Sequence, residues 1–435
     1  MTVAIIGSGL AGTSACDSLA AAGVDATIYE ASPYWGGHTH TEVVDGYAFD
    51  EGPHVSFSTD DQVREVFLRG AGEIVEFPAS ISNYFRGQWV SHPAQCHLYG
   101  LDPDLVSRCI IDFAGRTVED PPQTYADWLR QTYGPTFAET FPFAYTRKYW
   151  TVEASELGVD WVGQRMYPPR LEEVVRGALM PANEGDFHYL KSFRYPAVGG
   201  YQAFMGALLR PDRIMLSKRV TRVDPDARAL TFADGTEAAY DRLISTMPLP
   251  KLIRAIGPRP APPEILEAAD ALLCSSVVLV DVAVQRPDLS PHHWFYVYDE
   301  DVSFSRASFP HSLAQSNAPL GRGSVQAEVY FSRHRKLPSD EASMADRVVD
   351  ELVKVGVLAS SSEVVWARSR SVAYANVIFD HARQKALDMI LPWVEDRGIV
   401  LAGRYGEWGY HWTDDAVRSG WKAAAKVLAD RALVP

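Results

Sequence analysis

The stretch Val3-Ala-Ile-Ile-Gly-Ser-Gly-Leu-Ala-Gly12 decides the fold of this chain. Its apolar start predicts a buried parallel strand, and the residues after it predict a helix. The glycines between them have the G-x-G-x-x-G spacing. Gly7 allows a tight turn, Gly9 lets backbone N–H groups approach a pyrophosphate, and Gly12 lets the helix pack closely on the strand. The stretch therefore predicts a dinucleotide-binding turn.

An acidic residue follows the next predicted strand, Ala26–Tyr29. The carboxylate of Glu30 can accept hydrogen bonds from both hydroxyls of a ribose. The N-terminus of the first helix faces the phosphates of the same ligand with its partial positive charge. Gly36-Gly37 then offers a second close backbone approach, a pattern that resembles FAD-binding Rossmann proteins more than NAD dehydrogenases. We therefore predict FAD.

Length and composition are those of a large globular protein. The chain has 435 residues, 47% hydrophobic and 22% charged, which predicts two or three domains with a sizeable core. Its formal net charge of -14 argues against a general nucleic-acid or anionic-membrane surface, but local arginines can still form an anion pocket. No leader fits before the first strand, and no apolar run of ~18 residues suggests a membrane span. A cytoplasmic protein is expected.

The cysteines and histidines do not predict a metal site. Neither the His38/His40 pair nor the His292/His293 pair has the i, i+4 spacing or the extra carboxylate of a helical metal site. The cysteines have no metal-ligand spacing and are expected to be reduced, packed thiols; they are Cys16, Cys96, Cys109 and Cys274.

Hydrophobic periodicity predicts the remaining elements. Helical patterns cover 60–71 and dominate from Leu101 to about Leu179, and a hairpin is predicted over 81–90 with its turn near Gly87. Later runs resemble strands; they are Met215–Asp234, Leu243–Pro248, Val277–Val282, His293–Tyr298, Val325–Phe331 and Ile399–Ala402. A terminal helix is predicted from Asp414.

The last strand and helix resemble the first, which indicates that both chain ends complete one domain. We predict an α/β fold, with an FAD-binding Rossmann-type domain built from both ends and an inserted helical cap and antiparallel β-sheet. The predicted FAD-binding parts are 1–80, 196–250 and 396–435. The predicted cap is 100–195, and the predicted substrate sheet is 251–395.

Several short segments resemble the flavin-dependent UDP-galactopyranose mutases, within the wider group of amine and protoporphyrinogen oxidases. They occur in the family's order from residue 3 to about residue 424. Besides the nucleotide turn they are Gly52-Pro53-His54-Val55, Ala144–Trp150, Asp160–Arg165, Phe193–Pro196 with Gly199-Gly-Tyr201, Phe304–Ser308 and Gly403–Tyr410. By this resemblance, Arg194 corresponds to an arginine that lies on a mobile loop in the family.

The resemblance implies a pyranose–furanose mutase acting on a nucleoside-diphosphate sugar. Such an enzyme works through an adduct between the sugar and N5 of reduced FAD, without net redox change, and must hold the diphosphate leaving group. The implied catalytic residues are His54 beside the flavin, Arg194 and Arg306 as diphosphate clamps, and Tyr374 and Tyr410 as phenolic donors. Arginines suit that task because their contacts to phosphate are charge-assisted.

The resemblance also implies the binding residues. FAD is expected to be noncovalent and active when reduced, with NAD(P)H or another external reductant as the electron source. The expected cofactor contacts are Gly7, Gly9, Gly12, Glu30, Gly36, Gly37, Pro53, Val220, Gly403 and Arg404. The expected substrate contacts are Gln95, Tyr145, Trp150 and Tyr296.

Departures from the family pattern leave the substrate open. Ala94 stands where the family has an aromatic residue of the uracil pocket, and Thr146 stands where an asparagine is common. The base and the sugar are therefore undetermined, as is the oligomeric state. A net oxidase of the amine-oxidase type is the alternative, and a flavin-binding protein without catalysis is a third. The paired arginines favour the mutase.

Overall fold

A computed structural model describes residues 1–117, 120–163, 166–181 and 192–432, with side chains to residue 429. Gln164 and Arg165, the end of the Asp160–Arg165 motif, lie outside these ranges. The described strands are β1 Thr2–Ile6, β2 Asp25–Tyr29, β3 Thr41–Val44, β4 Tyr47–Asp50, β5 Ile74–Pro78, β6 Ile81–Phe85, β7 Gln88–Ser91, β8 Ser192–Pro196, β9 Ile214–Met215, β10 Val220–Asp224, β11 Ala229–Phe232, β12 Glu237–Ala239, β13 Arg242–Ser245, β14 Ser276–Val284, β15 Trp294–Val297, β16 Arg306–Ser308, β17 Gly323–Phe331, β18 Val364–Val372 and β19 Ile399–Leu401.

The helices begin at recognisable signals. Asp60 caps the helix after it by accepting hydrogen bonds from the backbone N–H groups of Gln62 and Val63, and Thr124 caps another with a reciprocal bond to Asp127. The described helices are α1 Leu10–Ala21, α2 Asp61–Ala71, α3 Pro103–Gly115, α4 Tyr125–Tyr133, α5 Pro135–Thr140, α6 Pro142–Tyr149, α7 Leu171–Leu179, α8 Leu249–Ala255, α9 Pro263–Ala271, α10 Pro310–Leu313, α11 Met344–Lys354, α12 Arg383–Glu395, α13 Gly403–Gly406 and α14 Thr413–Ala432.

Both chain ends build one parallel sheet, as predicted. Its strand order is β19-β13-β1-β2-β9, and every pair is parallel. Ile5, at the centre of β1, lies opposite Ile28 and Ile244 and is fully buried. Helices α1 and α14 pack together so closely that a Cβ at Gly420 would stand 2.2 Å from the carbonyl oxygen of Ala11. The Rossmann-type fold is therefore completed by the end of the chain.

The second sheet differs from the prediction in one pairing. Its seven strands have the order β18-β14-β17-β16-β15-β6-β7. All pairs are antiparallel except β15 with β6, which are parallel, with Phe295 opposite Ser82. The predicted sheet is thus mixed at this point, because the early hairpin β6–β7 adds to the edge strand β15. Helix α11 packs against this sheet through Val348 and Leu352.

A layer of helices closes the remaining side of the molecule. Helices α3 to α6 share one hydrophobic core with the nucleotide-binding part. On the helical side, this core contains the buried residues Leu129, Tyr133, Phe141 and Trp150. No described helix combines the length and the apolar character that a membrane crossing needs. The central space enclosed by the parallel sheet, the second sheet and these helices is the place where the predicted site residues meet.

Candidate active site

One cavity of about 2100 Å³, the central cavity, lies between the two sheets and the helical layer. It brings together all five residues predicted to be catalytic, the four predicted substrate contacts and every predicted cofactor contact except Gly12. The predicted catalytic residues in its wall are His54, Arg194, Arg306, Tyr374 and Tyr410, and the predicted substrate contacts there are Gln95, Tyr145, Trp150 and Tyr296. Residues spread over most of the sequence thus share one site.

The glycine turn has the geometry that its spacing predicts. Gly7 has φ +98, and a Cβ there would stand 2.2 Å from Oγ1 of Thr246. A Cβ at Gly12 would stand 2.0 Å from the carbonyl oxygen of Gly7, so Gly12 packs the helix on the turn and stays outside the cavity lining. A Cβ at Gly9, by contrast, would have Gly37 Cα at 3.9 Å as its nearest contact outside the adjoining residues. The free side of Gly9 therefore faces the cavity, as a cradle for phosphate requires.

Glu30 is held ready at the end of β2. Its Oε2 accepts hydrogen bonds from the backbone N and the hydroxyl of Ser8 at 2.8 and 2.7 Å, and its Oε1 accepts one from the Ser32 N–H at 2.8 Å. An ionised carboxylate has about four acceptor positions, so it keeps capacity for a ligand hydroxyl. Glu30 lines the cavity beside Gly9 and Gly37. The residues present therefore fit the ribose and pyrophosphate of a dinucleotide.

The imidazole ring of His54 lines the cavity and is neutral. Its Nδ1 lies 2.8 Å from the carbonyl oxygen of Gly52, and a carbonyl only accepts, so Nδ1 carries the proton. Burial lowers the pKa of His54 to about 4. Its Nε2 therefore presents a lone pair at neutral pH, as an acceptor and not as a cation.

Arg306 forms an ion pair with Glu328, an acid that no motif of the sequence marks. The β16–β17 register places Arg306 opposite Glu328, and the two form a forked ion pair with Nε–Oε2 at 2.9 Å and Nη2–Oε1 at 2.7 Å. Glu328 also accepts a hydrogen bond from the hydroxyl of Tyr330 at 3.0 Å. The charge of Arg306 is therefore balanced within the protein, although its side chain reaches the cavity.

Arg194 lies in a strand and not on a loop, which corrects the expectation drawn from the resemblance. Its backbone pairs with Glu76 on β5 and bridges to Ser56 on the other side. Its Nη2 lies 3.2 Å from Oε1 of Glu76, and its Nη1 donates to the carbonyl oxygen of Ser58 at 3.3 Å. Strand pairing on both sides fixes this arginine. The turn after the strand is also tightly packed, since a Cβ at Gly200 would stand 2.2 Å from the Thr41 side chain.

Aromatic rings cover the cavity wall between the helices and the second sheet. Tyr145 stacks on Tyr149 at 5.3 Å between ring centres and meets Tyr296 edge-on at 5.4 Å. Trp150 is buried, with its ring centre 5.8 Å from that of Tyr410. Gln95 donates its amide hydrogen to the carbonyl oxygen of Tyr167 at 3.1 Å. Tyr374 lies at another part of the wall, with Nζ of Lys251 4.9 Å from its ring centre.

Two groups in the wall had no place in the sequence interpretation. Glu328 stands within a β-like run, where an acid among apolar residues was the available signal of a buried partner. Asn376 follows β18, and its Oδ1 lies 3.2 Å from Nη2 of Arg404 and 3.3 Å from the hydroxyl of Tyr149. Nothing local in the sequence marks Asn376, because its neighbours come from distant segments.

Three of the cysteines are buried thiols, and His38 forms an ion pair with an acid. Burial raises the pKa of the Cys16 thiol to about 11, and Cys96 and Cys109 are likewise buried. His38 pairs with Glu51, with 2.6 Å between Nδ1 and Oε1. Within the part of the chain that the structure describes, no three His, Cys, Asp or Glu side chains cluster as a metal site would need.

Family comparison agrees with this geometry. Residues 124–428 match the family described as flavin containing amine oxidoreductase, and residues 5–69 match the NAD(P)-binding Rossmann-like domain. The chain belongs to the flavin-containing amine oxidoreductases. A flavin cofactor follows from that membership, and the glycine turn and Glu30 fit it. The chain is thus a flavoprotein of an oxidoreductase superfamily.

Several solved structures of this superfamily share the fold. The chain is similar to a reduced UDP-galactopyranose mutase, with a TM-score of 0.90, 24% identity, and coverage of 98% of this chain and 95% of that one. Cyclohexylamine oxidase from Brevibacterium oxydans has a TM-score of 0.68 and 15% identity, with 99% of both chains covered. Putrescine oxidase bound to putrescine has a TM-score of 0.64 and 18% identity, again with 99% of both covered.

Proposed function

We propose that this flavoprotein is an FAD-dependent mutase that interconverts the pyranose and furanose forms of a nucleoside-diphosphate sugar. The observation that carries the proposal is the guanidinium groups in the same cavity wall as the dinucleotide cradle, contributed by Arg194, Arg306 and Arg404. Glu76 and Glu328 pair with Arg194 and Arg306, whereas Arg404 pairs with no carboxylate among the described residues, so the charge of Arg404 disfavours an amine cation and favours a diphosphate. The TM-score of 0.90 to the mutase, against 0.68 and 0.64 to the two oxidases, supports the same choice.

The cofactor would be held by the glycine turn, by Glu30 and by the Gly36-Gly37 and Gly403-Arg404 segments. When bound and reduced, the flavin supplies the nucleophile for the anomeric carbon. His54 would contribute an acceptor nitrogen in the same wall, because its ring is neutral. We propose that FAD is bound noncovalently, so that acid precipitation of the protein should release it into the supernatant.

The protein's own task in such a reaction is to retain the diphosphate and keep water away from the sugar. Arg194 and the part of Arg306 not used by Glu328 would hold phosphate oxygens, with Tyr374 and Tyr410 as phenolic donors. The aromatic rings of Tyr145, Trp150 and Tyr296, with Gln95, would form the wall for the sugar and the base. An apolar wall lowers the access of water to a reactive sugar cation.

Turnover under defined redox conditions tests the proposal. The FAD-loaded protein is incubated anaerobically with UDP-, dTDP- and GDP-hexoses, with and without dithionite, and the products are separated by chromatography. We expect a furanose product only after reduction. The variant Arg259→Ala is a suitable control because Arg259 is 83% exposed and outside the cavity lining. Oxygen consumption and peroxide release with an amine, without any furanose product, would establish the oxidase instead.

A further inference from the structure

Arg404 differs from three other half-buried arginines of the cavity wall in having no acidic partner among the described residues. Arg306, Arg194 and Arg370 each pair with a carboxylate at 2.7 to 3.2 Å. Over the described residues, no carboxylate forms an ion pair with Arg404, and its guanidinium donates a hydrogen bond to the amide oxygen of Asn376. A partly buried cation without a counter-ion loses part of its hydration, and a negatively charged ligand would compensate that loss.

Asn376 has an orientation that its neighbours determine. A guanidinium and a phenol donate to its Oδ1, from Nη2 of Arg404 at 3.2 Å and from the hydroxyl of Tyr149 at 3.3 Å. Since a guanidinium cannot accept, the amide oxygen must face Arg404 and the amide nitrogen must face away. That nitrogen, Nδ2, is buried without an acceptor among the described residues, and so is Nε of Arg404. Both residues line the central cavity.

The main chain and the ring neighbours hold this pair in place. The Asn376 N–H donates to the hydroxyl of Ser275 at 3.2 Å, and its carbonyl oxygen accepts from the Ser275 N–H at 2.9 Å. The guanidinium of Arg404 lies 5.2 Å from the ring centre of Tyr410. Tyr149 belongs to helix α6, and Asn376 follows the sheet strand β18. The donors are thus fixed where the helix wall and the sheet wall of the cavity meet.

We propose that Asn376 and Arg404 form an oxyanion subsite for the substrate. Two donors without acceptors and one uncompensated positive charge suit a negatively charged oxygen, because such hydrogen bonds are charge-assisted. The oxyanion belongs to the diphosphate of the nucleotide or to a carboxylate on the sugar. This subsite rests on the proposed function, and it makes Arg404 a substrate residue in addition to its predicted place beside the cofactor.

The variant Asn376→Asp tests the subsite because it supplies the missing counter-ion at the same position. Binding is measured by calorimetry on the oxidised, FAD-loaded protein with UDP, UDP-glucose and UDP-glucuronate. Neutralising Arg404 and adding a repelling charge should weaken binding by ~10–150-fold, the range for loss of a charge-assisted contact. Equal weakening for all three probes assigns the oxyanion to the diphosphate, and weakening for UDP-glucuronate alone assigns it to a sugar carboxylate.

Two comparisons separate the subsite from general effects. Ser371→Asp adds the same charge to an exposed position of the same cavity wall, and should change binding by less than about threefold because solvent screens it. Arg404→Gln should weaken binding as Asn376→Asp does, and the double variant should be weaker than either single one, because its carboxylate then has no guanidinium to pair with and repels the oxyanion. FAD content and melting temperature show whether each variant is folded and loaded.

Three results would overturn the subsite. They are unchanged affinity of Asn376→Asp for every probe, loss of FAD with UDP affinity retained, and an equal loss of affinity in Ser371→Asp. The measurement does not require turnover. If the predicted binding pattern appears but reduced enzyme forms no furanose product, the proposed function fails and the subsite stands.

Discussion

Replacing Glu328 by glutamine should leave the buried charge of Arg306 without a partner. The carboxylate has only 1% of its side chain exposed, and both of its oxygens are engaged by the Arg306 fork. Glutamine keeps the shape and an acceptor for the Tyr330 hydroxyl, so the variant removes mainly the charge. Arg306→Met has the converse effect and leaves the carboxylate of Glu328 buried alone.

The magnitude follows from the cost of breaking a buried ion pair, which is about 3–5 kcal/mol when one partner is removed. We expect about 3 kcal/mol for either single variant, at the lower end because 21% of the Arg306 side chain is exposed. The double variant Arg306→Met/Glu328→Gln buries no uncompensated charge and should cost only about 1 kcal/mol. The coupling energy of the cycle should therefore be about 5 kcal/mol in magnitude.

Urea unfolding of the FAD-loaded proteins, followed by tryptophan fluorescence and circular dichroism, measures these differences. The pair Arg286–Glu363 is a matched control, since it has a similar fork with Nε–Oε1 at 3.0 Å but 32% and 22% of its side chains exposed. The cycle Arg286→Met/Glu363→Gln should give a coupling below about 1 kcal/mol. If the two effects at Arg306 and Glu328 simply add, the two residues do not compensate each other's charge.

Four further outcomes are expected. Gly9→Val should abolish FAD binding in the purified protein, read from its flavin absorbance, while Ala at the exposed Gly23 should retain it. Arg194→Ala should weaken UDP binding by ~10–150-fold in calorimetry, and unchanged affinity would remove Arg194 from the site. Lys148 donates to two backbone carbonyls, and burial lowers its pKa from 10.5 to about 7. The unfolded chain then binds more protons, so stability should rise between pH 7 and 10.5, and Lys148→Met should flatten this rise. For His54, whose pKa falls from 6.5 to about 4, stability should drop as pH falls through that interval, and His54→Gln should lessen the drop in a thermal series.

The sequence could determine the parts of the site that depend on short-range chain order. The turn from β1 to α1 needs glycine at three fixed positions, and each position proved to be one where a side chain would clash or would enter the cavity. The helix caps and the hairpin near Gly87 are local in the same sense. The resemblance added the order of later segments, and the structure places His54, Arg306 and Tyr410 in one cavity accordingly.

Strand register decided the electrostatics of the site, and no local pattern carries that information. Arg306 stands opposite Glu328 and Arg194 stands opposite Glu76 because of how β16 pairs with β17 and β5 with β8. A shift of one residue would separate each pair, since successive side chains point to opposite faces of a sheet.

By itself, then, the sequence determined the nucleotide-binding turn and the return of the chain end to the same sheet, because glycine geometry and apolar runs act over a few residues. Only the tertiary structure decided which arginines are neutralised and which is not. Asn376 reaches Arg404 because the segment after β18 and the short helix α13, which follows β19, meet at one point in space. The charge that a cavity offers to a ligand depends on such long-range pairings, since ion pairs act over a few ångströms of space and not over sequence distance.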